Sequence, residues 1–355
     1  GDLSYKEKFN DLIKKQTNHL INLTKKSELM DNKMISCAAI ILTGLTYQDK
    51  NGYLNSGLNL LKKILKFSFD NDGFPKSRSI KQLNFYLKYL ILIREWLKES
   101  QNEIPEYIDE NIYYLGQAYA FIWKNNKKDF LFNGNNETNN VEFDKYLKRL
   151  GYDFKNQNYE LGGYAILNSK KITLAMDVGP SPSEKFSSCY QAGSLSFEII
   201  SSGKKLICNS GYFQNQKHQL NEISKSTAIH STLTLDDRSS CRFIKKSANL
   251  SKVSHGLKII KKDIIFEKNY WKISSAHDGY LKQYGIIHNR EIEFFPEQMK
   301  FIGHDKIISK KKSKNLKFEI RFHLEPNVKV MKTQDNKSIL IDLLGEGWKF
   351  KSNNN

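Results

Sequence analysis

The sequence predicts a two-part α+β protein, in which a helical N-terminal part is followed by an antiparallel β-sandwich. Two patterns carry this prediction. Up to about residue 124 the apolar residues recur at helical spacing, whereas beyond about residue 155 they occur in short β-branched or aromatic runs. A polar segment at residues 130–140 separates the two patterns. We therefore predict one domain at residues 1–135 and a second at 136–355.

The N-terminal part is predicted to consist of packed helical hairpins. Apolar stripes at helical spacing run through residues 35–45, 83–97 and 108–122, and further helices are expected near residues 5–25 and 55–68. Breaker-rich segments at 70–75 and 100–105 connect them. Because each helix is amphipathic and the turns are short, the helices must bury their apolar faces on one another.

The C-terminal part is predicted to be a sandwich of many short strands. Apolar runs separated by polar turns recur along it. Such spacing is typical of antiparallel sheets that pack face to face. The clearest runs are residues 161–167, 172–176, 195–200, 205–208, 259–266, 286–295, 316–324 and 339–344.

The charge of the chain favours anionic partners. A formal net charge of +18 raises the local concentration of nucleic acid, acidic polysaccharide or lipid headgroups. The excess is mostly lysine spread along the chain, so a compositional bias of the genome explains it equally well. Nucleic-acid binding is not expected, because no Lys/Arg-rich helix, aromatic RNA-binding signature or zinc finger accompanies the charge. Membrane insertion is not expected either, because no run of about 18 uncharged apolar residues occurs.

The C-terminal part carries several short motifs that, taken in order, resemble the heparinase II/III-like polysaccharide lyases. The small-small-x-Leu-Ser-Phe-Glu strand, the Ala-x-His-Ser-Thr-x-Thr segment, the His-Asp-Gly-Tyr turn, the Gly-x-x-His-x-Arg strand and the two closing strands all have counterparts. These lie at residues 192–198, 228–234, 277–280, 285–290, 321–326 and 345–348. Each motif alone is weak, and their shared order is what makes the resemblance specific.

The helical part resembles the same family. Met30-Asp31-Asn32-Lys33 is similar to the family's Asn-His helix start, and residues 72–79 are similar to its Asp-Gly-x-x-x-x-Arg-Ser loop. The resemblance implies an incomplete α/α toroid followed by a β-sandwich, with the site between them. Family members are typically longer at the N-terminus, so we expect the first toroid helices to be missing from this chain. It also implies a periplasmic or cell-envelope location, although the chain does not begin with an export signal.

The resemblance further implies cleavage of a uronic-acid-containing glycan by β-elimination. The uronate carboxylate must be neutralised, a base must remove the C5 proton, and an acid must protonate the leaving O4 oxygen. The predicted catalytic residues are Asn32, His230 and Tyr280. Asn32 also fits the alternative of a helix N-cap, and a lone histidine such as His230 is equally consistent with a hydrogen-bonded structural role.

Five further residues are predicted to bind the substrate, an acidic polysaccharide. They are Lys33, Arg78, Gln191, His277 and Arg290. Arginine grips carboxylate or sulfate bidentately, although a structural salt bridge is an equally good explanation. The turn at His277-Asp278-Gly279 has a sufficient structural reason of its own, because glycine tolerates the required backbone.

The resemblance also leaves a metal site open. Metal-bearing relatives hold zinc through His and Asp in the β-domain, so the resemblance allows a structural zinc or calcium, with His230 and His277 as candidate ligands. The four cysteines are widely spaced and signal neither a zinc site nor a disulfide framework.

Two departures from the family pattern leave a second function open. No tyrosine directly follows the Arg78-Ser79 pair, and Tyr86 falls in an apolar stripe. Gln191 and Gly193 stand where many lyases have a His and an Asp. We therefore predict a polysaccharide lyase, with a catalytically degenerate glycan-binding protein of the cell envelope as the alternative.

Overall fold

A computed structural model describes the chain at residues 3–27, 30–47, 52–124, 127–137, 140–213, 215, 218–247, 250–309, 316–326 and 328–352. The chain forms two compact units. The first comprises Gly1–Ala120 with Asp153–Asn156, and the second comprises Phe121–Tyr152 with Gln157–Asn355. The predicted boundary at residue 135 therefore lies inside the second unit.

The first unit is helical, and the helices predicted from periodicity are confirmed. Its helices are α1 (Leu3–Lys26), α2 (Met30–Thr46), α3 (Tyr53–Ser68), α4 (Ile80–Glu99) and α5 (Glu106–Tyr119). α2 packs against α1, α3 and α4. The apolar stripe of α4 is buried, and the Ser79 hydroxyl caps its first turn by accepting from the Gln82 N–H at 3.3 Å.

Two glycines allow α2 and α3 to approach closely. A Cβ atom at Gly44 would overlap the backbone nitrogen of Leu54, and one at Gly57 would lie 2.6 Å from Cγ1 of Ile41. The contact therefore requires residues without side chains, one on each helix.

The segment predicted as a polar interdomain loop belongs instead to the core of the second unit. Phe130 and Phe132 are buried, and so is Asn133, whose amide donates to Tyr164 Oη at 2.7 Å and to Asp177 Oδ2 at 3.0 Å. These bonds satisfy polar groups that burial would otherwise penalise. Long-range hydrogen bonds of this kind explain why the unit boundary lies before this segment.

The second unit is rich in antiparallel strands, and the predicted change from helix to strand is confirmed. A π-helical turn at Ala120–Lys124 leads into it, and its helices are α6 (Asn140–Arg149), α7 (Leu220–Ile223) and α8 (Leu281–Tyr284). Its strands are β1 (Glu160–Leu161), β2 (Tyr164–Asn168), β3 (Ile172–Asp177), β4 (Phe197–Ser201), β5 (Lys204–Ile207), β6 (Leu233–Leu235), β7 (Arg242–Ser247), β8 (Leu250–His255), β9 (Ile259–Phe266), β10 (Trp271–His277), β11 (Ile286–Phe295), β12 (Lys300–Ser309), β13 (Phe318–Ile320), β14 (Lys329–Lys332), β15 (Ile339–Asp342) and β16 (Gly347–Phe350).

Two larger sheets enclose the main core of this unit. One runs β1-β2-β3-β4-β5 and the other β12-β11-β10-β9, with smaller pairings β14-β15-β16, β6-β13 and β7-β8. Leu174, Met176 and Phe197 from the first sheet pack in one cluster with Trp271 and Phe294 from the second. This face-to-face burial is the sandwich arrangement expected for two antiparallel sheets. Within the described residues, no helix combines the length and apolar character that crossing a membrane requires.

The close contact of α2 and α3 gives a stability prediction. Gly→Ala inside a helix normally stabilises by about 1 kcal/mol, but Gly44→Ala should destabilise, because its Cβ would overlap the Leu54 backbone. Thermal unfolding followed by circular dichroism measures the change. Thr46→Ala, at an exposed position of the same helix, is the control and should leave the melting temperature unchanged or slightly higher. An unchanged or raised melting temperature for Gly44→Ala would contradict the packing described above.

Candidate functional site

The first unit brings the two motif segments of the helical part together. The Gln82 side chain donates to Asp31 Oδ1 at 2.6 Å, and its own carbonyl oxygen accepts from the Ser77 hydroxyl at 2.6 Å. Asp31 lies in the first turn of α2, and Ser77 lies in the loop that leads into α4. The start of α2 and the Ser77–Ser79 loop therefore form one hydrogen-bonded cluster.

This cluster presents one of the predicted catalytic residues to solvent. Asn32 is exposed and is the third residue of α2, so it does not precede the helix as an N-cap would. Lys33 beside it is half-buried. Burial raises the pKa of the neighbouring Asp31, and the Gln82 hydrogen bond opposes that shift. The exposed amide of Asn32 is thus free to meet a ligand.

Arg78 occupies a strained position at the same loop. Its φ of 59° lies in the left-handed region, which non-glycine residues rarely adopt, and its side chain is buried. The Arg78 N–H donates to the Pro75 carbonyl at 2.8 Å and closes the turn. Strain of this kind persists only where the surroundings hold it in place.

Tyr86 has a structural role. It is fully buried, its ring packs edge-on against Phe69, and its hydroxyl lies 3.5 Å from Ser68 Oγ. Burial raises the pKa of its phenol, which disfavours the phenolate that proton abstraction would need. The first unit therefore does not offer Tyr86 as a base.

In the second unit, the segment Thr227–Thr232 is held by hydrogen bonds at several points. The Thr227 hydroxyl donates to the Ala192 carbonyl at 2.6 Å, and the Ser231 hydroxyl donates to the Cys208 carbonyl at 2.7 Å. The Ser231 N–H donates to Asn209 Oδ1 at 2.9 Å. Together these bonds fix the backbone on both sides of His230.

His230 is buried, yet neither of its ring nitrogens has a hydrogen-bond partner among the residues that the structure describes. Only 1% of the residue is exposed, and a Cβ atom at Gly193 would lie 2.9 Å from the ring, so the imidazole packs directly on that glycine. Burial, with a smaller contribution from nearby His323, lowers the pKa of His230 to about 3. The imidazole is therefore neutral, with a lone pair available.

His323 lies in one of the closing-strand motifs but was not among the predicted site residues. It is half-buried, and its Nε2 lies 3.1 Å from the Ala228 carbonyl oxygen. Because a carbonyl can only accept, Nε2 must carry the proton, and the neutral ring keeps its lone pair on Nδ1. Burial lowers the pKa of His323, while the Ala228 hydrogen bond opposes that shift.

Gln191 was predicted to bind substrate, and the structure gives it a structural role instead. Its side-chain nitrogen donates to the carbonyls of Gly211 at 2.9 Å and Ser224 at 2.6 Å, and its oxygen accepts from the Gly134 N–H at 3.0 Å. The residue is fully buried. Its amide therefore joins three segments of the β unit.

Tyr280 was predicted to be catalytic, and here too the structure indicates a structural role. It is buried, and its hydroxyl lies 3.2 Å from the carbonyl oxygens of both Leu233 and Arg238. Burial raises the pKa of the phenol. The hydroxyl therefore links the start of β6 to the turn that follows this strand. Its proton is engaged by these carbonyls and is not available to a leaving group.

His277 belongs to a buried chain of polar groups. Its Nδ1 accepts from the Gly279 N–H at 3.0 Å and its Nε2 lies 3.3 Å from His288 Nδ1, while His288 Nε2 lies 2.6 Å from Asp305 Oδ1. Burial lowers the pKa of both imidazoles. With both ring nitrogens engaged, His277 neither binds substrate nor offers a metal a lone pair.

Arg290 was predicted to grip a substrate anion, but its anion lies within the protein. Nε and Nη2 donate to Asp305 at 2.8 and 2.9 Å, and Nη1 donates to the carbonyls of Leu195 at 3.0 Å and Ser231 at 2.7 Å. The guanidinium is fully buried. The neighbouring Arg290 charge holds the pKa of Asp305 well below its usual range, despite burial. Arg290 therefore forms a structural salt bridge, which was the alternative to substrate binding.

A second buried pair was missed by the motif reading. Glu198 Oε1 accepts from the N–H of Leu131 at 2.8 Å and from the Asn209 amide at 3.0 Å, while Oε2 lies 3.9 Å from Lys205 Nζ. Glu198 and Lys205 are both buried. Burial raises the pKa of Glu198. A charged residue within a hydrophobic strand pattern is difficult to recognise as buried, because the sequence does not show which distant segments supply its hydrogen-bond partners.

The predicted zinc or calcium does not fit the described side chains. Across the described ranges, no group of three or more His, Cys, Asp or Glu side chains is placed to hold a metal ion. Of the two candidate ligands, His277 uses both nitrogens and His230 stands without a carboxylate beside it in the hydrogen-bond pattern. No step of the chemistry is therefore assigned to a metal.

Comparison with known families decides the relationship. The sequence model of the heparinase II/III-like C-terminal domain matches residues 155–355, more than half of the chain. The chain belongs to the heparinase II/III-like family. The matched range contains His230, the Arg290–Asp305 pair and His323, so the buried polar network described above lies within the family domain. A search of curated proteins finds no match.

Solved structures show the same fold over nearly the whole chain. A mutant of heparan sulfate lyase HepC from Pedobacter heparinus matches with a TM-score of 0.71 at 14% identity, covering 95% of this chain and 54% of that one. A heparinase III structure with methylated lysines matches with a TM-score of 0.69 at 16% identity, covering 92% and 51%. This chain therefore spans about half the length of the lyases it resembles.

The Arg290–Asp305 pair gives a stability prediction for this heparinase II/III-like domain. Arg290→Met should lower the free energy of unfolding by about 3–5 kcal/mol, because the largely buried Asp305 carboxylate keeps only its His288 hydrogen bond and two carbonyls lose their donor. Urea unfolding followed by tryptophan fluorescence measures the loss. Lys306→Ala, an exposed position on the same strand as Asp305, should change stability by less than about 0.5 kcal/mol. Equal effects of the two substitutions would refute the role assigned to Arg290.

The buried imidazole of His230 predicts a pH dependence of stability. The unfolded chain binds a proton at His230 near pH 6.5, whereas the folded chain binds it only near its lowered pKa of about 3. Stability from this residue is therefore present above about pH 6.5 and is lost as the pH falls. Between about pH 7 and pH 5 the loss should be about 2 kcal/mol.

Substitution of His230 isolates this contribution. His230→Gln should lose about 2 kcal/mol less than the unaltered chain over that pH interval, as measured by urea unfolding at each pH. The control is Gln298→Ala, an exposed position of the same unit that removes no titratable group and should leave the pH dependence unaltered. If His230→Gln shows the unaltered pH dependence, the imidazole is not buried in its neutral form.

Proposed function

We propose that this chain is the catalytic portion of a polysaccharide lyase that cleaves uronic-acid-containing acidic glycans by β-elimination. Family membership and the shared fold support the reaction class. The observation that carries the proposal within the chain itself is the neutral imidazole of His230, which has no hydrogen-bond partner among the described residues and lies in the range matched by the family model. A periplasmic or cell-envelope location remains a prediction.

The proposal assigns carboxylate neutralisation to Asn32. Its exposed amide can donate to the uronate carboxylate, and the ammonium group of Lys33 adds positive charge on the same turn of α2. Lowering the negative charge on the carboxylate makes the C5 proton more acidic. The hydrogen bonds from Gln82 to Asp31 and from Ser77 to Gln82 would hold the start of this helix in place during the reaction.

The proposal assigns proton transfer to His230. The imidazole takes the C5 proton, the C5–H electrons form the C4–C5 double bond, and the C4–O4 bond breaks with its electrons on O4. When the proton and the leaving group lie on the same face of the sugar, the same imidazolium can return the proton to O4. An approaching uronate charge would raise the low pKa of His230 toward the range in which a base works well.

A second candidate function is glycan binding without turnover. Three observations favour it. The first two are that His230 is almost completely buried and that Tyr86, the tyrosine nearest to the Arg78-Ser79 pair in the chain, lies in the core of the first unit. Gln191 likewise uses its amide to hold backbone segments together, where many lyases have a proton-transfer histidine. A protein of this kind would retain the basic charge and the fold but would produce no unsaturated ends.

An elimination assay separates the two candidates. Incubation of the protein with a panel of uronate-rich glycans should generate ultraviolet-absorbing unsaturated ends. Asn32→Ala should lower kcat/KM by about 10²–10³-fold, as expected for loss of one donor to developing negative charge. His230→Ala should abolish the absorbance change. Asn59→Ala, an exposed asparagine on α3, is the control and should retain full activity.

The pattern of results decides between the functions. Binding of a glycan without any absorbance change across the panel would exclude the lyase and support the binding protein. Elimination that survives both Asn32→Ala and His230→Ala would retain the reaction class but overturn the residue roles.

A further inference from the structure

The second unit contains a pocket that neither the predicted catalytic residues nor the proposed mechanism uses. It has a volume of about 360 Å³ and is formed by the segment around α7, the turn before β7, the start of β7 and α8. All of its lining residues lie in the second unit. A volume of this size is within the range of about 300–1,000 Å³ that small-molecule sites occupy.

The charge of the pocket is strongly unbalanced. Lys225, Arg238 and Arg242 line it together with a single carboxylate, Glu222. That carboxylate already accepts a hydrogen bond from the Ser251 hydroxyl at 2.8 Å. Both arginines are exposed, and among the described residues no carboxylate lies within ion-pair distance of either guanidinium. A cavity lined by two arginines that are not paired with its one carboxylate is suited to sulfate or carboxylate.

Lys225 forms a fixed positive floor to the pocket. The side chain is buried, and Nζ donates to the carbonyls of Ser188 at 2.6 Å and Ser251 at 2.7 Å. Burial lowers the pKa of Lys225 to about 8, so the ammonium form still predominates at neutral pH. A lysine held by two carbonyls keeps its charge at one place, whereas a solvated lysine would move it.

The remaining walls favour a saccharide over a bare anion. The aromatic ring of Phe243 supplies an apolar face, with Lys225 Nζ lying 5.5 Å from its centroid, and the Gln283 amide supplies neutral donors and acceptors. The apolar face of a sugar ring can pack on an aromatic ring while its hydroxyls meet polar groups. The Ser239 hydroxyl, which also lines the pocket, accepts from the Thr227 N–H at 3.0 Å and so ties this wall to the His230 segment.

We propose that this pocket binds a sulfate or carboxylate group of an acidic saccharide, with Arg238 and Arg242 as the gripping residues. The saccharide part of the inference rests on the proposed function, whereas anion binding does not. The site would hold a glycan at the β unit without touching the reacting bond. It thus gives the basic charge of the chain a specific location.

Titration with a short ligand tests the site apart from catalysis. An acidic disaccharide carrying one uronate and one sulfate is titrated calorimetrically into the full chain, with a neutral disaccharide and inorganic sulfate as comparison ligands. Arg238→Ala combined with Arg242→Ala should weaken binding of the acidic disaccharide by at least about tenfold, because both bidentate donors are lost. Replacing both by lysine should recover part of the affinity, since charge returns without the fork geometry.

A matched charge control separates local contact from general attraction. Lys245→Ala combined with Lys261→Ala removes the same two charges at exposed positions that do not line the pocket, and should change affinity by less than about twofold. Equal weakening by the two double variants overturns the site, and so does absence of binding to the unaltered protein. Binding of the neutral disaccharide or of inorganic sulfate as tightly as the acidic disaccharide would overturn the saccharide assignment.

The same titration keeps this inference separate from the proposed reaction. The acidic disaccharide lacks a linkage that elimination could cleave, so its titration reports binding alone. A loss of affinity in the double variant of Arg238 and Arg242 therefore supports the site whether or not elimination is found. If elimination on long glycans occurs but the disaccharide does not bind, the lyase proposal survives and this site does not.

Discussion

The second unit depends most on one guanidinium, that of Arg290. It joins β11 to Asp305 on β12 through two parallel hydrogen bonds, and its remaining nitrogen reaches the carbonyls of Leu195 and Ser231. Those carbonyls belong to the turn before β4 and to the segment that carries His230. A buried charge is stable only when its partners are complete. The position of His230 is therefore tied to the pairing of two strands distant from it in sequence.

The polar interior follows from this arrangement. Gln191, Glu198 and Asn209 each bridge segments that the chain separates by ten to seventy residues, and their hydrogen bonds run largely to backbone atoms. Such bonds specify one arrangement of the loops around the sandwich, because any other arrangement would leave a buried polar group without a hydrogen-bond partner. His230 differs from these residues, because its backbone is held firmly while its ring nitrogens have no hydrogen-bond partner among the described residues. The proposed role of His230 rests on this combination.

Much of the fold was predictable from periodicity. The stripe along α4 and the apolar runs of β3 and β11 follow directly from packing one face, or both faces, into a core. The domain boundary was not predictable, because the asparagine-rich composition of residues 130–140 conceals hydrogen bonds to Asp177 and Glu198. Composition records polarity but not whether a distant partner satisfies it.

The site was predictable only in part, for the same reason. Tyr280, His277 and Arg290 lie in the motifs and hold strands and turns together in this chain, and the motif alone does not distinguish that role from catalysis. Asn32 and His230 could be selected from the motifs. Coordinates were required to show that Asn32 is exposed and that the ring nitrogens of His230 have no hydrogen-bond partner among the described residues. Arg238 and Arg242 belong to no motif, so the sequence offered no signal for the pocket that they line.

The bare Cα of Gly193 against the imidazole of His230 also constrains how this chain can evolve. A side chain at position 193 would meet the ring at 2.9 Å, so an aspartate could be accommodated there only if His230 had first moved or been replaced. Gln191, two residues away, is committed to three backbone partners and resists replacement independently. Position 193 is thus coupled to position 230, because any side chain there requires a change in the imidazole that packs on it.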